Sequence, residues 1–161
     1  MTEIFDILIF TDLFMEVKGK NDTVKMIGFT GKCTGQYFNG EVLSGGVDTQ
    51  FIDKNGRASL SARYMMKGID CKGNACSVFI QNEGVADSGE EIKTIPKIVT
   101  DSNELAWLED SHLCGKVQME NGVLHVRIFI NSQCTKEIWE KINADKNTEN
   151  NFKYRKQNYC N

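Results

Sequence analysis

The sequence predicts an all-β protein: a closed antiparallel β-barrel with a short C-terminal helix and a polar tail. Three observations carry that prediction. Period-two alternation recurs from residue 5 to residue 130, and helical periodicity is nearly absent. Turn signals punctuate the alternation at short spacing, Asp53-Lys54-Asn55-Gly56 and Asn121-Gly122 above all. Glycines interrupt the apolar runs at Gly28, Gly31, Gly35 and Gly40, as a strand needs when it must bulge or curl to close a barrel. Eight or more short strands would leave edges exposed in an open sheet, and closure removes those edges.

In order along the chain, Phe5 to Val17 alternates first. Phe5, Ile7, Ile9, Leu13, Met15 and Val17 form one nearly unbroken apolar face, and Ile4, Leu8, Phe10 and Phe14 make the other face apolar too. Lys18 to Asp22 is a turn cluster. Strand character resumes from Val24 to Leu43, and Ser44-Gly45-Gly46 reads as a tight turn. Val47 to Ile52 and Ala58 to Lys67 flank the Asp53–Gly56 hairpin. On the second of these, Leu60, Ala62, Tyr64 and Met66 oppose Ser59, Ser61, Arg63 and Met65. Ala75 to Asn82 is the next strand, Gly84 to Glu91 a polar loop, and Lys97 to Thr100 a short strand after Pro96. His112 to Met119 and Val123 to Ile130 make the last hairpin. Thr135 to Asn143 is the helix, with Ile138, Trp139 and Ile142 on one face and Thr135 as its cap. Residues 1–144 therefore read as one barrel domain with its helix, and 145–161 as a polar tail.

Composition narrows the function. The chain has 161 residues, 40% apolar and 25% charged, enough for a core without staples. Its net charge of −3 argues against a nucleic-acid partner, since phosphate neutralisation needs basic excess. No apolar run is long enough for a membrane helix, and Glu3, Asp6 and Asp12 break any leader-like start, so a cytoplasmic protein without a membrane partner is expected. Six cysteines, at 33, 71, 76, 114, 134 and 160, are then expected as reduced thiols. No phosphate loop, dinucleotide fingerprint or nucleophile elbow occurs, and two histidines are too few for a multi-histidine metal site. No cofactor and no metal are expected. Because the first strand is apolar on both faces, a homo-oligomer is expected.

Several stretches resemble one family. Gly40-Glu41-Val42-Leu43-Ser44-Gly45-Gly46-Val47-Asp48 is similar to its Gly-x-Val-Leu-Pro-Gly-Gly-Ala-Asp segment. Leu60-Ser61-Ala62-Arg63-Tyr64 is similar to its Leu-Asp-x-Arg-Tyr segment, and Thr94-Ile95-Pro96, Trp107-Leu108 and Val117 to Phe129 follow in the same order. The family is domain of unknown function 3237, also called uncharacterised protein family 0311, and the likeness runs from about Ile9 to Ile130. It implies a small antiparallel β-barrel and brings no general activity. Thr49, Ser44 and Ser61 stand where the family places an aromatic residue, a proline and an aspartate.

Asp48 and Arg63 match the motif positions and are the catalytic candidates. Facing the lumen, Arg63 would clamp a carboxylate or enolate, and Asp48 would act as general base or hold the guanidinium. The structural alternative is an internal Asp48–Arg63 ion pair that fixes strand register. Glu41, Gln50, Tyr64, Lys93 and Trp107 are the ligand-binding candidates, at or near a barrel mouth. The function expected is binding of a small organic acid or ketone in the lumen, with proton-transfer, isomerase or lyase chemistry if catalytic. The alternative is a non-catalytic barrel that self-associates.

Overall fold

The computed structural model describes residues 2–87, 91–130 and 140–144. Eight strands follow one another: β1 (Thr2–Lys18), β2 (Thr23–Thr34), β3 (Phe38–Ile52), β4 (Ala58–Asp70), β5 (Ala75–Ala86), β6 (Ile92–Thr100), β7 (Leu113–Glu120) and β8 (Val123–Ile130). Each pairs antiparallel with the next, and β1 pairs back to β8, closing the barrel. A 3-10 turn at Ala106–Leu108 lies between β6 and β7, and residues 140–144 are helical. Thr135, Ile138 and Trp139 of the predicted helix, and the tail 145–161, lie outside the described residues.

The lower half of the barrel is solid. Phe5, Phe38, Met66, Val78, Ile98 and Ile128 turn inward and are fully or almost fully buried. Phe5 and Phe38 meet edge to face, with ring centroids 6.0 Å apart. Leu105 and Leu108, on the 3-10 turn, close this end. Each such side chain contributes about 1.5–3 kcal/mol through burial. Around the seam between β8 and β1, the outer face carries polar side chains. Arg127 grips Glu120 with two hydrogen bonds, of 2.5 and 2.7 Å, and His125 Nδ1 lies 2.9 Å from Asp6.

Three sequence expectations change. First, Leu60, Ala62, Tyr64 and Met66 are the inward set on β4, so Ser59, Ser61 and Arg63 face outward and Arg63 is exposed. Register sets Asp48 opposite Ala62 and Val47 opposite Arg63. Asp48 and Arg63 thus occupy opposite faces of the wall, which overturns both the internal ion pair and a lumenal Arg63. Second, the apolar face of β1 does not run unbroken. A bulge between Thr11 and Leu13 shifts the register against β2, so Ile7 and Ile9 are buried while Leu13, Met15 and Val17 are 53%, 46% and 63% exposed. Third, Ser44-Gly45-Gly46 is not a turn. β3 passes straight through it, with a register shift against both neighbours and Gly45 at φ 103°, a conformation side chains avoid.

Pro96 sits inside β6 rather than before it. The pairing of β6 with β7 covers only Ile92 to Thr94, so the amide hydrogen that proline lacks falls beyond that ladder.

Candidate site in the upper lumen

Above the solid core several inward residues are small or polar. On β3 they are Asp48 and Gln50, on β4 Ala62 and Tyr64, on β5 Asn82 and Gly84, on β6 Thr94, and on β7 Gly115. Asp48, Ala62 and Asn82 lie in one row across neighbouring strands, so the small Ala62 separates two polar side chains. Thr94, Asn82 and Gly115 are in contact on the next wall. A Cβ on Gly115 would strike the Thr94 hydroxyl and touch the Asn82 amide. Phe29 lies edge-on to Tyr64, at 5.3 Å between centroids, and forms the apolar floor.

Four buried oxygens in this region have no protein hydrogen-bond partner among the described residues: Asp48 Oδ1, the Tyr64 hydroxyl, Asn82 Oδ1 and Thr94 Oγ1. Tyr64, Asn82 and Thr94 are only 4%, 4% and 3% exposed. An unmet buried polar atom costs about 1–3 kcal/mol, and folded proteins keep few of them. All four belong to side chains on the inward face of the upper barrel.

Their protonation follows from the surroundings. Burial pushes the Asp48 carboxyl above the usual carboxylate range, although Gln50 Nε2 donates to Oδ2 at 2.7 Å and the Ser61 backbone also donates. Burial likewise pushes the Tyr64 phenol far up, so it stays a neutral donor. The neighbouring Cys33 thiol is pushed up to about 12, by burial first and by the charge of Asp6 second, and stays protonated. The lumen therefore offers a proton acceptor whose affinity for protons is enhanced beside a neutral hydroxyl donor.

Of the predicted site residues, Asp48, Gln50 and Tyr64 meet in the lumen. Arg63 does not, for the reason of register given above. Glu41 is exposed opposite Lys67, and the register of Lys93 against Val85 sets it on the outer face. Trp107 is at the closed lower end, where its Nε1 donates to the Glu104 carbonyl at 2.9 Å and its ring meets Tyr37 edge-on. These three are not at the lumen mouth. Asn82 and Thr94 were missed, yet each left a signal. Asn82 continues the inward series of Val78 and Ile80, and Thr94 the series of Pro96 and Ile98, as polar residues at apolar positions.

Cys33, Cys71 and Cys76 carry free thiols. Cys114 is disulfide-bonded, with a partner outside the described residues, so the expectation of reduced thiols throughout does not hold. Among the described residues no helix is long and apolar enough to cross a membrane.

A closed eight-strand meander with polar side chains in its upper lumen defines the class: a small antiparallel β-barrel. The chain belongs to the family described as protein of unknown function (DUF3237), whose model matches residues 6–97. It is 30% identical over 110 residues to a UPF0311 protein of Clostridium acetobutylicum, an alignment covering 58% of this chain and 66% of that relative. Among solved structures it resembles a protein of unknown function from Clostridium acetobutylicum, with TM-score 0.70 and 24% identity over 81% of this chain and 97% of the other. It also resembles a beta-barrel like protein from Acinetobacter baumannii, with TM-score 0.67 and 17% identity over 80% and 93%. Likenesses at these identities establish a shared fold.

Proposed function

We propose that the protein binds a small neutral carbonyl compound in its upper lumen, a ketone rather than an organic acid. The four unpartnered buried oxygens carry this reading. The Tyr64 hydroxyl supplies a hydrogen bond to a carbonyl oxygen, and Asp48, Asn82 and Thr94 accept from a ligand hydroxyl. A carboxylate is disfavoured because Arg63 is outside, Lys25 on the inward face is paired with Glu16, and the Asp48 charge is inside. Catalysis in such a site takes the form of enolisation. Asp48 accepts a proton from the carbon beside the carbonyl, and Tyr64 stabilises the charge that gathers on oxygen.

The test is a thermal-shift and NMR screen of small hydroxyketones against their matched carboxylates. Ketones should raise the melting temperature and the carboxylates should not. Tyr64→Phe and Asp48→Asn should each weaken binding about tenfold, the scale of a lost hydrogen bond to a buried group. Exchange of the bound ketone's α-protons in heavy water reports the proton transfer. A screen in which carboxylates bind and ketones do not would sink the proposal.

A specific observation also favours self-association. Register aligns Met15 with Met26, and Val17 with Val24 and Phe51, so Leu13, Met15, Val17, Met26 and Phe51 form a continuous exposed patch on the outer face. β1 beyond Ile9 has no partner in β8, which leaves that edge open among the described residues. Light scattering should give a whole multiple of 18.2 kDa at micromolar concentration, and Met15→Lys with Val17→Lys should return it to 18.2 kDa. A monomeric parent protein rejects this reading.

A further inference from the structure

The groove on the outer face of β3, β4 and β5 has a cavity volume of about 280 Å³. It opens on the other side of the wall from Asp48 and Tyr64: the same strands that send those two inward send Thr49, Ser61 and Arg63 outward into it. Its apolar walls are Val47, Phe51, Val85 and Ile142. Ile142, on the helical turn, is buried and packs with Val85, Ile95 and Cys114, so this wall is anchored to the barrel. Hydroxyls of Thr49, Ser59 and Ser61 line the floor.

Two charges share the groove, and they differ in what they touch. Glu83 accepts a 2.8 Å hydrogen bond from Gln81 Nε2. Among the described residues the Arg63 guanidinium has no ion pair or hydrogen-bonding partner. It stands at the lip of a mostly apolar cavity with all its donors open, which is the arrangement that a carboxylate satisfies with two parallel hydrogen bonds.

We propose that this groove is a second binding site, for a monocarboxylate with a short alkyl chain, held by Arg63 at its head and by Phe51, Val85 and Ile142 along its chain.

Calorimetry and amide-shift NMR on the full chain, with octanoate and octanol as probes, test this. Octanoate should bind saturably, with shifts centred on Ser61, Arg63 and Val85, and octanol should bind at least about tenfold more weakly. Arg63→Met should weaken octanoate about tenfold or more. Its side chain is exposed, so its stability should stay within about 0.5 kcal/mol of the parent. Ser61→Leu, which fills the groove, should abolish binding. Lys97→Met removes an exposed outer-face cation away from the groove and should change nothing. Absence of saturable binding up to about 10 mM, or binding to Arg63→Met within about twofold of the parent, would overturn the proposal.

Discussion

Gly68→Ala is expected to destabilise the barrel by about 3 kcal/mol, at the upper end of what overpacking costs. Gly68 faces Gly40 across the β3–β4 ladder near the lower end. A Cβ at Gly68 would run into the carbonyl of Asn39 and the Cα of Gly40. Every one of those atoms is backbone, so no side chain can rotate away, and relief requires separating the strands. The same ladder positions Phe38 and Met66 in the core, and prising it apart loosens both. Urea unfolding should show a lower midpoint with an unchanged slope, the signature of lost stability without a changed denatured state. A loss under about 1 kcal/mol would mean that the approach of β3 to β4 is soft, and the strand glycines would then not be what lets the wall curl.

Much of this architecture was legible from the chain. Strand alternation with two clear hairpin turns gave an all-β barrel, and Val123–Ile130 begins and ends where the pattern does, but the turn between β2 and β3 fell inside a run read as one strand from Val24 to Leu43. What escaped was which face turns inward. On β4 the alternation itself favours Leu60, Ala62, Tyr64 and Met66 as the buried set, but the motif match drew attention to Arg63 on the other face. On β1 both faces are apolar, so a one-residue bulge at Asp12 leaves no trace in hydrophobicity and yet reverses every side chain after it. The Ser44-Gly45-Gly46 cluster has the composition of a turn. Only the pairing of Gly46 with Phe29 and of Val47 with Arg63 shows that it is a bulge. Three of the five polar lumen residues, Asp48, Gln50 and Tyr64, were visible as polar groups on strands. Asn82 and Thr94 join them through closure of the barrel, which brings together residues whose proximity local sequence does not encode.

Two partly or fully buried aspartates should respond to pH with opposite sign. Asp48 has its carboxyl raised, chiefly by burial, so the folded protein holds that proton more tightly than the unfolded chain does. Stability should fall as pH rises from the unfolded value, about 3.9, through the raised folded value, and the penalty should remain at neutral pH. Asp48→Asn removes the charge while keeping an acceptor for Gln50, so it should raise stability at pH 7 by on the order of 1 kcal/mol, at the expense of lumen binding. Asp70 is the reverse case. It closes the β4–β5 hairpin, and although burial pushes its carboxyl up, donors from Asn74, Ser102 and Lys72 outweigh that and hold it below the ordinary range. Its contribution is present above the unfolded value and is lost as pH falls through the folded one. Asp70→Asn should therefore lower the urea midpoint at pH 7, with the deficit shrinking toward pH 3, while the gain of Asp48→Asn also shrinks toward pH 3 because both states are then protonated. The two difference curves should open in opposite directions above pH 4. If Asp48→Asn lost stability at pH 7, Asp48 would be a structural carboxylate like Asp70, and the upper lumen would have no strained acceptor to offer a ligand.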